Sequence, residues 1–122
     1  MESEHYEFID LAYLNQVAGE DENTRSTLLD LVSKELLEVI PLLSDLYASK
    51  KWGAIKDHVH RMKTTMAFTG NADLMAANNQ IWKILVLMES PESIAPMIHV
   101  LDSKYRQVAE ALQTELRRMK GD

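Results

Sequence analysis

The chain contains no cysteine, only four glycines and three prolines, and no excess of positive charge. The absence of cysteine excludes disulfide bonds and thiolate metal sites, and it is compatible with a reducing compartment. The longest apolar run extends only from Ile84 to Met88, far short of a membrane span. A basic-then-apolar signal segment is also missing. We therefore expect a cytoplasmic protein without a membrane partner.

The net charge and the length further limit the class of protein to which the chain can belong. The net charge is −6, which argues against nucleic acid as a main partner because phosphate binding needs a basic patch. The chain has 122 residues, of which 46% are apolar and 26% charged, as is ordinary for a globular protein. This length predicts one domain, 1–122, with a single core.

Few residues interrupt a helix, and the alternating pattern typical of strands is absent. The apolar spacing instead predicts an all-α protein, with a short helix over about 7–18 and long helices over about 24–47, 51–68, 72–88 and 91–119. Four long helices joined by short loops predict an up-down antiparallel four-helix bundle, with the short extra N-terminal helix covering one end.

Particular residues mark the expected helix boundaries. Asn23 or Thr24 can cap the first long helix, and Pro41 inside it predicts a kink. Gly70 suits the end of the next helix. In the helix after Gly70, the inward face should consist of Leu74, Ala77, Ile81, Leu85 and Met88.

The helix predicted over 51–68 carries two stripes. Its core seam has apolar residues at spacings of three and four, namely Trp52, Ile55, Val59, Met62 and Met66. A second stripe lies beside this seam and consists of Lys56, His60, Lys63, Thr64 and Ala67. His60 should therefore be at least partly exposed, with the Lys63 ammonium one turn away. The hydroxyls of both Thr64 and Thr65 are expected close to it.

This segment resembles a known motif. His60, Lys63, Thr65 and Gly70 resemble the pattern H-x-x-K-[GS]-[SA]-x(4)-G of histidine-containing phosphotransfer (HPt) domains, with Thr65 at the position where the pattern has Ser or Ala. The similarity covers nearly the whole chain, although only the block 60–70 is specific. The chain departs from the pattern at Thr64, where the family has Gly or Ser, and a β-branched side chain there narrows the approach to His60.

The resemblance implies a role for each motif residue. His60 would accept the phosphoryl group, Lys63 would offset part of its charge, and Gly70 is the motif glycine. The residues expected to dock the partner are Lys56, Thr64 and Ala67. The implied partners are response-regulator receiver domains and a hybrid sensor histidine kinase. Because a receiver supplies its own magnesium, we expect no cofactor and no metal site in this chain.

The chemistry of imidazole suits such a role. Its unperturbed pKa of about 6.5 leaves a large neutral, nucleophilic fraction near pH 7. The sequence has no phosphate-cradling glycine loop and no recognisable serine or cysteine nucleophile motif. We therefore expect a monomeric phosphoryl carrier and not a kinase or another enzyme.

Two alternatives give the same bundle another function. A pseudo-HPt module would bind receivers without being phosphorylated. An unrelated four-helix adaptor would bind a helix or peptide, and it predicts a large exposed apolar groove.

His58 lies two residues from His60, which places the two imidazoles about 200° apart on a helix, so they cannot share a metal.

Overall fold

The computed structural model describes residues 7–121, and within that range every regular element is helical. The five α helices are α1 (Ala12–Ala18), α2 (Glu22–Ala48), α3 (Trp52–Thr69), α4 (Ala72–Leu87) and α5 (Ala95–Met119). A short 3-10 helix, Pro91–Ile94, leads into α5. The predicted all-α class is confirmed. Among residues 7–121, no helix combines the length and the apolarity needed to cross a bilayer.

The helices share one core. The most extensive contacts join α2 to α5, α3 to α4, α4 to α5 and α2 to α3, so each long helix packs against two others. The short α1 packs against α2 and α3. Buried apolar side chains from all five helices form a continuous cluster. The predicted seam of α3 is confirmed: four of its five residues are buried, and Trp52 at the helix start is half-buried.

Helix α2 begins at Glu22 because Asp21 caps it. The Asp21 carboxylate accepts hydrogen bonds from the backbone N–H groups of Asn23, at 3.0 Å, and Thr24, at 3.3 Å. The prediction that Asn23 or Thr24 would itself be the cap is therefore wrong. Both residues lie inside the first turn, where their amides need an acceptor.

Helix α1 is shorter than predicted because the segment before it pairs with another part of the fold. The Asp10 N–H donates to the carbonyl of Thr69 at 2.9 Å, and the Phe8 carbonyl accepts from Asn71 Nδ2 at 2.9 Å. The Asp10 side chain accepts from the Ala12 N–H. These contacts attach residues 8–10 to the turn between α3 and α4, so α1 starts only at Ala12.

The prediction that Met88 faces inward is also wrong. Helix α4 ends at Leu87, and Met88 takes a left-handed conformation with φ 54°. Because the helical period ends there, the side chain no longer points to the core, and Met88 is 57% exposed.

A buried ion pair connects three helices. The Glu115 carboxylate on α5 is buried and lies 3.2 Å from Arg25 Nη2 on α2. Arg25 Nε also donates to Asn15 Oδ1 on α1 at 2.6 Å, and Arg118 Nε lies 3.5 Å from the other Glu115 oxygen. A buried charge needs such partners because its desolvation is costly.

Candidate functional site

Helix α3 presents the histidine and the lysine of the motif on successive turns. His60, Lys63 and Thr64 are exposed, whereas Lys56 and Ala67 are half-buried at the edges of the same face. The predicted exposure of His60 is confirmed. Its imidazole is accessible from solvent, as a group that reacts with another macromolecule must be.

The two threonines differ. Thr64 is exposed, but Thr65 is buried, with 7% of its surface accessible. One step along an α helix turns the side chain by about 100°, which carries Thr65 onto the inner side of α3. The expectation that both hydroxyls lie near His60 is therefore wrong, and only Thr64 offers its hydroxyl on that surface.

Trp82 of α4 contacts both motif residues. Its ring system stacks against the His60 imidazole, with centroids 6.0 Å apart and planes inclined by 28°. The Lys63 Nζ lies 5.0 Å from the centroid of the same tryptophan. These values fall within the ranges of offset aromatic stacking and of cation–π contacts. One half-buried aromatic side chain therefore brings His60 and Lys63 together.

Asn78, one turn before Trp82 on α4, joins the two helices at the same level. It is buried, and its Nδ2 donates to the Val59 carbonyl at 2.9 Å. Among the described residues, its Oδ1 has no hydrogen-bond partner. Since Val59 directly precedes His60, this bond holds α4 against the turn of α3 that carries the imidazole.

Trp82 is not among the site residues expected from the sequence, although the spacing of the two helices contains a signal for it. His60 lies ten residues before Gly70, and Trp82 lies eleven residues after Asn71. At about 1.5 Å per residue, both are about 15–17 Å along their helices from the turn. A hairpin of two helices brings residues at equal distances from the turn to the same level.

Gly70 positions this hairpin. It ends α3 in the left-handed conformation, with φ 64° and ψ 9°. A Cβ atom at this position would meet the carbonyl oxygen of Asp10 far inside van der Waals contact and would lie 2.7 Å from the Asp10 Cβ. Glycine satisfies both the conformation and the close approach of the N-terminal segment.

His58 lies on a different side of α3 from His60. Arg61 Nη2 lies 3.1 Å from His58 Nδ1, and because guanidinium only donates, the imidazole nitrogen accepts. Both side chains line a groove of about 370 Å³ between α2 and α3, which Lys34, Glu35 and Glu38 of α2 also border. The predicted separation of the two histidines is confirmed.

No family model, curated protein or solved structure matches this chain. The resemblance to HPt domains therefore depends on the residues of the motif block themselves.

Two lysines, Lys56 and Lys63, lie about one turn from His60 on α3, although the chain as a whole is acidic. Lys56 and Lys63 on α3 and Lys83, which follows Trp82 on α4, are not paired with a carboxylate in the described part of the chain. In the same range, no group of three or more histidine, aspartate or glutamate side chains could hold a metal ion. A solvent-accessible imidazole among unpaired cations can act as a nucleophile towards an anionic electrophile, and the cations can stabilise the anion that it acquires.

Proposed function

We propose that this protein is a phosphorelay intermediate of the HPt type in two-component signal transduction, with His60 as the phosphoryl acceptor. One observation carries the proposal: the exposed His60 imidazole has the Lys63 ammonium one turn away, and Trp82 contacts both. The motif spacing from His60 to Gly70 supports the same function. The protein acts in the cytoplasm as a monomeric carrier and performs no catalysis of its own.

We further propose that α2 to α5 form an up-down antiparallel four-helix bundle and that α1 is the additional short helix. The pairwise packing of the long helices in a closed ring supports this arrangement. So do the short connections, since two residues separate α3 from α4 and three separate α2 from α3.

The transfer step needs little from the carrier. The Nε2 lone pair of neutral His60 attacks the phosphorus of an aspartyl phosphate on a receiver domain. As the N–P bond forms, the P–O bond to the aspartate breaks, and the carboxylate leaves with the electron pair. The proton on Nδ1 can then pass to water. Because the receiver supplies magnesium, positioning and charge neutralisation are the contributions required of the carrier, and Lys63 neutralises part of the charge.

The partners are receiver domains, one of them belonging to a hybrid sensor histidine kinase. They dock on the face that contains Lys56, Thr64 and Ala67. Half-buried Phe68 continues this face towards α1, where Tyr13 stacks on it with ring centroids 5.1 Å apart. Tyr13 is 45% exposed and offers an apolar surface beside Phe68, about two turns of α3 from the histidine. The contact should be small and transient, as a relay requires.

The experiment that tests the proposal is transfer from a panel of phosphorylated receivers. We expect wild type to acquire an acid-labile label and His60→Gln to acquire none. The matched control is His58→Gln, which alters a histidine on the opposite side of the same helix and should accept phosphate at the wild-type level. Label on His60→Gln would remove His60 from the mechanism. Receiver binding without any label on wild type would favour the pseudo-HPt alternative.

Lys63→Ala should lower the transfer rate about tenfold, because one charge-assisted contact to the phosphoryl group is lost. Its circular dichroism should remain that of wild type, since Lys63 is exposed. Lys83→Ala, which removes an exposed lysine of the neighbouring helix α4, is the control for a general loss of positive charge, and it should have a smaller effect. Equal effects of the two substitutions would contradict the specific role of Lys63.

A further inference from the structure

Trp82 is the only described aromatic side chain that contacts the His60 ring. It reaches His60 from a neighbouring helix, and the same ring system carries the Lys63 ammonium. The tryptophan therefore lies under both groups that the proposed transfer uses. Without such a partner, an exposed imidazole would sample several rotamers. All but the reactive rotamer would have to be given up when a receiver docks, at a cost in side-chain entropy.

The position of the helix that carries Trp82 is constrained by Asn78. Asn78, one turn earlier on α4, is buried and hydrogen-bonded to the backbone carbonyl that precedes His60. This bond sets the register of α4 against α3 independently of the stacked rings. The indole projects from the helix that this bond holds against α3, so it meets the imidazole at a defined level along the two helices.

The contact between the Lys63 ammonium and the indole can be replaced by a stronger contact with a phosphoryl group. An ammonium over an exposed aromatic ring is held more weakly than one that donates a charge-assisted hydrogen bond to a phosphoryl oxygen. The arrival of a phosphoryl group on His60 should therefore draw the ammonium away from the indole. The ammonium is already beside His60, so this requires a movement of a single side chain.

We propose that Trp82 is a positioning residue for phosphoryl transfer: its indole orients the His60 imidazole and holds the Lys63 ammonium ready to move onto the incoming phosphoryl group. The inference rests on the proposed function insofar as His60 is the acceptor. It does not depend on which receiver is the donor.

The test uses a small phosphoryl donor, phosphoramidate, so that no protein partner is needed. The P–N bond of the donor breaks, ammonia leaves, and the phosphoryl group bonds to the imidazole nitrogen. Trp82→Leu should lower the rate at fixed pH by about two- to tenfold, the factor expected from the loss of one or two aromatic contacts. Trp82→Phe, which keeps a ring under the imidazole, should recover most of the rate.

Two spectroscopic measurements separate positioning from simple packing. In NMR spectra of wild type, the indole ring current should shift the resonances of the His60 ring protons. Trp82→Leu should abolish that shift and leave the ring-proton resonances of His99 unchanged. In a Trp52→Phe background, where Trp82 is the sole tryptophan, phosphorylation should change the indole fluorescence. The change should be absent in His60→Gln and reduced in Lys63→Met. Circular dichroism of each variant verifies the fold.

The possible failures are distinguishable. If Trp82→Leu loses the ring-proton shift but reacts at the wild-type rate, Trp82 only packs and the inference is overturned. If wild type reacts with phosphoramidate but with no phosphorylated receiver, the relay proposal fails while the role of Trp82 in acceptor positioning remains supported. If neither phosphoramidate nor any phosphorylated receiver of the panel modifies His60 in folded wild type, both proposals are overturned.

Discussion

At the scale of single residues, the candidate chemistry depends on which side of α3 each side chain occupies. Thr64 and Thr65 are chemically identical neighbours, yet one is exposed beside His60 and the other is buried. The difference follows from a rotation of about 100° per residue. The same rotation separates His60 from His58, whose imidazole accepts a hydrogen bond from Arg61 and lines a different groove.

Gly70 is the residue at which a small change should have the largest structural effect. Gly70→Ala should lower the free energy of unfolding by about 2–5 kcal/mol, because the left-handed conformation is strained and the new methyl group overlaps the Asp10 backbone. Urea denaturation measures this loss. The control is Gly53→Ala, at a helical position with open space around it, which should be neutral or stabilising by up to about 1 kcal/mol.

The prediction for Gly70 has a clear contrary outcome. A loss of only about 1–2 kcal/mol would equal the strain of the left-handed conformation alone. The segment containing Asp10 would then move away at no cost, and its attachment to the α3–α4 turn would not contribute to stability.

At the scale of elements, the start of α2 shows how a helix end depends on one ionised group. Hydrogen bonds from the backbone and side chain of Thr24, and then from the Asn23 backbone, hold the pKa of the Asp21 carboxyl below its ordinary value of 3.8. Such bonds favour the charged form. The contribution of Asp21 to stability is therefore fully present above pH 3.8 and is lost as the pH falls through the lower pKa of the folded state.

Asp21→Ala should consequently have a pH-dependent effect. We expect a lower melting temperature than wild type at pH 7, and the gap should close below about pH 3.8 as the wild-type carboxylate takes up its proton. Asp21→Asn is the control, because its amide oxygen can still cap the helix but does not titrate in this range. A gap between wild type and Asp21→Ala that stays constant down to pH 2 would contradict the role of the charge.

At the scale of the whole molecule, one buried cluster joins all five helices, and contacts between distant parts of the chain reinforce it. Arg25 and Glu115 are 90 residues apart and form a pair across α2 and α5. Asn71 bonds the carbonyl of Phe8, 63 residues earlier. A core without internal boundaries should unfold as one cooperative unit.

The two tryptophans test that cooperativity at different places. Trp52 packs edge-on against Tyr47 of α2, at 5.4 Å between ring centroids, whereas Trp82 stacks on His60. In the single-tryptophan variants Trp52→Phe and Trp82→Phe, urea unfolding by fluorescence should coincide with unfolding by circular dichroism in the same variant. A fluorescence midpoint well below the dichroism midpoint in either variant would reveal a separately unfolding part.

The sequence by itself determined the helical class, the approximate extent of the long helices, the core seam of α3, the exposure of His60 and the end of α3 at Gly70. These features depend on the local period of the backbone, which assigns every side chain an angle around its helix axis. The same reasoning failed where the period stopped, as at Met88, where α4 had already ended.

Only the tertiary structure decided what lies opposite each face. The contacts of Trp82 with His60 and Lys63, the bond from Asn78 to the Val59 carbonyl and the pairing of Arg25 with Glu115 all join different helices. The hydrogen bond from Asp10 to Thr69, which accompanies the shortening of α1, likewise joins distant parts of the chain. The local period sets where a side chain points but not what meets it, because the register and rotation of one helix against another result from packing of the entire core.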